Sequence, residues 1–419
     1  MISELKIRNF KSLESVDLKL GHFNLLVGAN ASGKSNFLDA LRFLQGVGNG
    51  FTLDEILDGK PPSSTNVKWD GIRGGSKLVA FRRKDGSAEE EIEIAGCILS
   101  TSLYEIRRNG LSYQLKFRPE THKLMQWLGT MECHWHNDEN IYLHYENVRS
   151  KGLAAGFDST AREYSRLLKE RNPSLTAQEV ESRESLSPES FNLSPQAVYA
   201  AHILDLLAKM QFLDPLPTAL RNYSTNVAQL GERGEGFAAL IHDIESNGSK
   251  PALLEWLKEL RPDEISDLHA IPGAVNDFMA AVKEGVNEFP APACSDGTLR
   301  FIALAAAFFQ PSMPKILVIE EIEKGLHPSR LRLLLELMRS QSKRTGTQVF
   351  ATTHSPTLLN WLTEEDRKTT FVCTRDAESG ATKMRSLSEV PKLEELIKNN
   401  YNLDQLFEEG WLESVLHES

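Results

Sequence analysis

The chain has no excess of positive charge. Its 58 acidic residues outnumber its 47 lysines and arginines, and the formal net charge is -11. That argues against a general coat for nucleic acid and leaves room only for a local basic groove, so DNA is at most a possible partner. Cysteine is scarce. Cys97, Cys133, Cys294 and Cys373 are widely spaced and form no Cys-x-x-Cys. This removes a disulfide framework and fits a reducing, cytoplasmic setting. The longest apolar run, Phe301 to Phe309, is too short to span a bilayer, so no membrane partner is expected. A strand-like pattern starts at Ile2, and no signal peptide is expected. No internal repeat is present, and no heptad pattern persists long enough for a coiled-coil arm.

What the chain does have is Gly28-Ala29-Asn30-Ala31-Ser32-Gly33-Lys34-Ser35, followed by Asn36. This fits a phosphate loop: glycine, four residues, then glycine, lysine and serine. The flanks agree. His22 to Val27 reads as a short buried strand, and Asn36 to Leu44 as an amphipathic helix. Glycine at 28 and 33 permits backbone conformations that bulkier residues resist. The loop amides and the helix N-terminus would face phosphates. Lys34 would reach the β- and γ-phosphates, and the Ser35 hydroxyl would hold Mg²⁺.

The 419 residues allow two or three domains. Leu5–Phe10 and Leu13–Leu20 alternate as two strands of a hairpin, with Asn9-Phe10-Lys11-Ser12 on its turn side. A short helix is expected near Leu53 to Leu57. Leu78–Phe81, Glu91–Ile94, Ser102–Arg107 and Tyr113–Phe117 read as an antiparallel meander. Arg82-Arg83-Lys84 and Arg107-Arg108 lie at its turns as a solvated edge, with nucleic-acid contact the lesser option. Cys133, His134, His136 and His144 could in principle ligate a metal, but no second cluster at ligand spacing follows. Ala197–Phe212, Phe237–Ile244 and Pro251–Leu260 read as helices. Residues 120–288 are therefore expected to form an inserted, mainly helical lobe.

Three later stretches bear on the chemistry. Ser295-Asp296-Gly297-Thr298-Leu299-Arg300 opens a long apolar helix. Its serine and glycine offer a hydroxyl and amides to an anion, although the same residues make an ordinary helix cap. Lys315 to Ile319 is a buried strand ending in Glu320-Glu321. Carboxylates there are costly without a cation or donors; the strand would put Glu320 near Mg²⁺ and Glu321 near an attacking water. Thr347 to Thr353 is another buried strand, ending at His354. A neutral His354 could hydrogen-bond a γ-phosphate or a water.

In this order the motifs resemble the ATP-binding cassette ATPases of the RecF, SMC and overcoming-lysogenisation-defect group. The resemblance covers residues 1–45 and 290–390. It implies that Asn9-Phe10-Lys11-Ser12 approaches the adenine. It also implies that Gly28–Ser35 is Walker A, Ser295-Asp296-Gly297 the signature, Glu320-Glu321 Walker B, Glu323–His327 the D-loop and His354 the switch histidine. Bacterial ATPases with a Ser-Asp-Gly-Thr-Leu-Arg signature are the nearest in pattern, and many lie beside a small TOPRIM-type partner gene. Glu320 replaces the usual Asp, and Ile322 and Lys324 replace the commoner Pro and Asn. These departures bear on turnover and on communication between sites. Gln114 and Gln126 are candidates for the Q-loop glutamine.

The expected fold is an α/β phosphate-loop head with a mixed sheet, an antiparallel β lobe and an inserted helical lobe. Residues 1–119 and 289–419 would form the head, with 120–288 between them. The resemblance implies that two heads dimerise face to face around two ATP molecules, Ser295 of each completing the other's site. The expected function is a nucleotide-dependent switch in anti-phage defence or DNA repair. Its effector would act in trans, for example as a TOPRIM or HNH nuclease. Rival readings are a transporter's nucleotide-binding subunit and a non-hydrolysing ATP sensor or scaffold. Ser-Asp-Gly-Thr differs from the transporter's Ser-Gly-Gly-Gln, and the paired acids argue against the sensor.

Lys34→Ala should abolish ATP binding, because a charge-assisted contact of this kind contributes about 1.5–3 kcal/mol. Calorimetry that finds an unchanged affinity would remove the loop's assignment.

Overall fold

The computed structural model describes residues 1–61, 69–89, 91–99, 111–117, 131–135, 141–143, 203–225, 229–260, 265–399, 401–411 and 414. They fall into two compact units. The first comprises Met1–Gly21, Asn30–Met210 and Cys373–Arg385; the second comprises His22–Ala29, Gln211–Val372 and Ser386–Ser419.

The first unit is built on alternation. In β1 (Ile2–Phe10) and β2 (Leu13–Lys19), Leu5, Ile7, Val16 and Leu18 turn inward while polar neighbours face out. The two strands pair antiparallel, and β1 also pairs antiparallel with β4 (Ile92–Ile98). Next come β5 (Leu111–Phe117), β6 (Met131–Trp135) and β7 (Ile141–Leu143), giving the strand order β2-β1-β4-β5-β6-β7. Helix α1 (Lys34–Gly48) buries Phe37, Leu41, Phe43 and Leu44. The Phe43 ring stacks on Phe117 with centroids 4.7 Å apart and meets Phe10 edge-on at 6.1 Å. Helix α2 (Leu53–Asp58) starts with a capping box, Thr52 and Glu55 bonding each other's backbone.

The second unit holds a buried parallel sheet. Its strands include β3 (Phe23–Val27), β8 (Met210–Leu213), β12 (Ile316–Ile319), β13 (Gln348–Thr353) and β14 (Thr370–Arg375), which form the run β14-β3-β13-β12-β8 of a six-stranded sheet. β13 pairs parallel with β3 and with β12, and β14 pairs parallel with β3. β3, β12 and β13 are buried along their whole length, as strands covered on both faces must be. Around this core lie α3 (Pro217–Leu220), α4 (Phe237–Ser246), α5 (Lys250–Leu260), α6 (Asp296–Ala306) and α7 (Pro328–Thr345). Helix α6 is apolar on every side from Phe301 onward. A separate antiparallel sheet has β10 (Phe278–Glu284) between β9 (Asp267–Pro272) and β11 (Asn287–Pro290). Helices α8 (Glu364–Lys368), α9 (Leu393–Lys398) and α10 (Leu403–Glu408) follow. Among the described residues, no helix is long and apolar enough to cross a membrane.

The fold class is as expected: α/β, with a parallel core and antiparallel sheets. Three local expectations are corrected. Leu78–Phe81 is not a strand. A tight 3₁₀ turn at Ser76–Leu78 precedes it, and its backbone bonds go to the end of β1, from Lys11 to Val79 and from Phe81 to Asn9. The helix expected to run to Phe212 is helical only over 203–208 among its described residues, and Met210 begins β8. A short apolar run suits a buried strand as well as a helix. Residues 267–284, expected within a helical lobe, form two strands whose turn uses Asn276 at φ 63°. Ser102–Arg107, Arg107-Arg108, Gln126, His136 and His144 lie outside the described residues, as do the side chains of Cys133 and His134.

Phe43→Ala should lower the unfolding free energy by about 3–5 kcal/mol, since it removes the ring shared by Phe10 and Phe117. Urea denaturation reads this, and a loss below about 1 kcal/mol would show that the cluster closes over the gap.

Candidate functional site

Because β3, β12 and β13 are parallel, their carboxyl ends finish at one edge of the sheet, the edge at which such sheets bind ligands. β3 ends opposite Thr353 and runs into Gly28 and Ala29. β12 runs into Glu320 and Glu321, and β13 runs into His354. Glu321 is held in a left-handed conformation, φ 49°. Its N–H donates to Thr352 Oγ1 at 2.9 Å, and the next N–H, of Ile322, donates to the Thr352 carbonyl at 3.1 Å. Glu320 N–H donates to the Leu213 carbonyl of β8 at 3.1 Å.

The carbonyls of both glutamates are held by Arg300. It is 2% exposed, and its Nη2 donates to the Glu320 and Glu321 carbonyls at 3.2 and 3.1 Å. Its Nη1 donates to Asp214 Oδ1 at 2.9 Å and to the Pro215 carbonyl at 2.6 Å. Asp214 also pairs with Lys324 at 3.2 Å. The arginine that closes the Ser-Asp-Gly-Thr-Leu-Arg stretch thus ties the start of α6 to the turn after β12.

Ser295 is the N-cap of α6. Its Oγ accepts the Thr298 N–H at 3.2 Å. Asp296 pairs with Arg221 at 2.6 Å. Gly297 lies against the segment after β12, where a Cβ would sit 2.5 Å from the Gly325 carbonyl oxygen. His327 caps α7, its Nδ1 accepting the Ser329 N–H. Glu323 Oε1 receives the His354 N–H at 2.6 Å and lies 2.7 Å from His354 Nδ1.

In the first unit the loop from Asn30 is wound tightly. Ala31 has φ 64° and Gly33 φ 103°. A Cβ on Gly33 would lie 1.9 Å from Thr382 Oγ1, so this position admits only glycine. Thr382 Oγ1 donates to the Ser32 carbonyl at 3.0 Å and meets Ser12 Oγ at 2.6 Å; Ser12 Oγ in turn accepts from Asn36 Nδ2 at 2.6 Å. Four side chains therefore hold the loop's second half: Ser12, Asn36, Thr382 and the buried Lys34, whose Nζ lies 3.5 Å from Ser32 Oγ. Burial pushes the Cys373 thiol up to about 12, against the downward pull of the Lys34 charge. Arg73 Nη2 donates to the Ser35 carbonyl at 2.7 Å, and its Nε donates to Asp39 Oδ1 at 3.1 Å.

The expected N-terminal residues are placed as follows. Phe10 lies in the core against Phe43. Asn9 gives its amide to the Glu91 carbonyl at 2.9 Å. Lys11 pairs with the buried Asp39. Gln114 gives its amide to Glu93 at 2.8 Å. Among the described residues, no group of three or more His, Cys, Asp or Glu side chains could hold a metal alone. Thr382, Asp39, Arg73 and Asp214 stand in no motif of the sequence. Arg300 and Glu323 stand inside the motifs at 295–300 and 323–327. A lone arginine at the head of an apolar helix was a visible signal for the former; nothing local marked Thr382.

A phosphate loop that admits no side chain at Gly33, and a parallel sheet whose carboxyl edge bears two glutamates and a histidine, define a phosphate-loop ATPase fold. The comparisons agree. The family described as "AAA domain, putative AbiEii toxin, Type IV TA system" matches residues 23–360, and the chain belongs to that family. It is similar to an ATP/GTP phosphatase of Helicobacter pylori (strain ATCC 700392 / 26695), 23% identical over 397 residues, covering 88% of this chain and 90% of that one. A shorter similarity, 51% over 102 residues, links it to the DNA replication and repair protein RecF of Pasteurella multocida (strain Pm70), covering 20% of this chain and 28% of that one. Among solved structures, an Smc head bound to the C-winged helix domain of ScpA has a TM-score of 0.52 at 14% identity, covering 95% of this chain and 99% of that one. An Smc head with an extended coiled coil, derived from Pyrococcus furiosus and bound to the C-terminal domain of ScpA, has a TM-score of 0.50 at 15% identity over the same shares. At these identities the likeness is one of fold.

Gly33→Ala should weaken ATP binding about tenfold or more, since a left-handed alanine costs about 1–2 kcal/mol before any clash with Thr382. Calorimetry measures it, with circular dichroism as a check on folding. Unchanged affinity would mean that the loop's tight winding has no part in binding.

Proposed function

We propose that this protein binds and hydrolyses ATP and acts as a nucleotide-dependent dimer switch. The observation that carries the reading is the shared carboxyl edge of β3, β13 and β12, the strands that lead into Gly28, His354 and Glu320-Glu321. The ATP/GTP phosphatase similarity along most of the chain supports it. In this reading the loop amides from Gly28 to Ser35 and the Lys34 ammonium hold the phosphates. Glu321 orients the attacking water and accepts its proton. The Ser35 hydroxyl and Glu320 are the groups assigned to Mg²⁺, which when bound neutralises charge developing on the phosphates. Asn9 and Lys11 are assigned to the adenine side. Asn30, Ala31, Ser32 and Asn36 shape the loop.

Two chains pair head to head, and Ser295, Asp296 and Gly297 of one complete the site of the other. ATP holds the pair closed and hydrolysis reopens it. Residues 1–119 and 289–419 serve as the head, with 120–288 inserted. The RecF similarity supports a role on DNA in repair; anti-phage defence is the other setting in this reading. The effector is a separate protein, in our reading a nuclease of TOPRIM or HNH type, because the motifs account for one reaction only.

Glu321→Gln keeps the shape of the side chain and loses the proton acceptor. ATP should still bind, and phosphate release should fall by about two orders of magnitude or more. The variant should then accumulate as an ATP-bound dimer in light scattering. Adding Ser295→Arg should disperse that dimer by placing a cation at the docking face. Hydrolysis at the parent rate by Glu321→Gln ends the assignment of the base. An ATP-dependent dimer that survives Ser295→Arg would leave Ser295 as a helix cap alone.

A further inference from the structure

His354 is held from one side by a single atom. Glu323 Oε1 accepts its backbone N–H at 2.6 Å and lies 2.7 Å from its ring Nδ1. The Glu323 side chain is 9% exposed, whereas that of His354 is 45% exposed. The other carboxylate oxygen, Glu323 Oε2, is buried without a hydrogen-bond partner. All of this carboxylate's accepting capacity that finds a donor is therefore given to one residue. An ionised carboxylate has no hydrogen to give, so Nδ1 must donate. In a neutral imidazole the second nitrogen then carries only a lone pair.

We infer that Glu323 is a positioning residue that fixes His354 in the Nδ1–H tautomer, so that Nε2 accepts a hydrogen from a water rather than donating one to a phosphate oxygen. A phosphate oxygen that carries no proton has nothing to offer a lone pair, and a water has. Of the two partners open to a neutral histidine at this strand end, the geometry selects the water. The same Glu323 oxygen holds the main chain, so the ring and the end of β13 are set together. The inference rests on the reading that His354 faces the reaction, but the tautomer is a property of the nucleotide-free protein and is tested apart from it.

The test uses full-length protein with ¹⁵N-labelled histidine, read over a series of rising pH until the His354 signals stop changing and the ring is neutral. His354→Gln identifies the His354 signals. The parent should show a protonated-type shift at Nδ1 and an unprotonated-type shift at Nε2. Glu323→Gln should keep this pattern, because its amide oxygen can take both bonds. Glu323→Ala should lose it. In steady-state phosphate release, Glu323→Ala should lower kcat about ten- to a hundredfold with KM for ATP within about twofold, and Glu323→Gln should stay within about threefold of the parent. An Nε2–H pattern in the parent overturns the inference. So does an Ala variant that retains both tautomer and kcat, or a Gln variant as impaired as Ala. A parent that releases no phosphate would instead defeat the ATPase reading, and the ¹⁵N spectrum would still decide the role of Glu323.

Discussion

The parallel pairing of β13 with β3 on one side and β12 on the other is the constraint on which the candidate site depends. Val349 lies opposite Phe23, and Ala351 lies opposite both Leu25 and Ile319. Parallel register makes all three strands end at one edge. A shift of one residue would turn every buried side chain of a strand to the other face. The polar groups at that edge are then trimmed locally. Thr352 catches the Glu321 N–H, Arg300 catches the two glutamate carbonyls, and Glu323 catches His354. Glu321 keeps a left-handed backbone because donors and acceptors on both sides hold it there.

In the first unit the corresponding role falls to hydroxyls and one carboxylate. Thr382 occupies the space that a side chain at 33 would need. Asp39, buried, takes a cation from each side, Lys11 and Arg73. A buried acid so paired holds the first helix to the turn of the N-terminal hairpin and to the loop carrying Arg73. Lys11 is thus already engaged with protein, whatever else it serves.

Much of this could be read from the chain. The strand, loop and helix around Gly28–Ser35 follow from local pattern. So do the buried strands before Glu320 and His354, because these apolar runs are too short for a typical helix and rich in β-branched residues. The hairpin from Leu5 follows from alternation. Contacts made across long spans could not be read. Thr382 and Ser32 are 350 positions apart, and Arg300 and Asp214 are 86 apart; no periodicity connects them. The strands of 267–290 escape a sequence reading because their alternation is weak: across β9 and β11 only Leu268 is fully buried, while Ala270, Ile271 and Phe289 are half-buried. Leu78–Phe81 was misread because four alternating residues also suit a chain that bonds to a strand end without joining the sheet.

One consequence of the sheet order concerns the making of the chain. β3 lies between β13 and β14, and both partners come from the far end of the sequence. Its first partner residue, Val349, is 326 positions after Phe23 (349 minus 23). At roughly 5–20 residues per second, a ribosome takes tens of seconds to cover that distance. Throughout that interval Phe23-Asn24-Leu25-Leu26-Val27 has neither of its final neighbours, and it is a short apolar segment of high strand propensity. The strand that leads into the phosphate loop therefore acquires its neighbours late. Nascent chains of this protein pass through a stage in which an adhesive strand stands open, the kind of exposed segment that makes incomplete chains prone to aggregate.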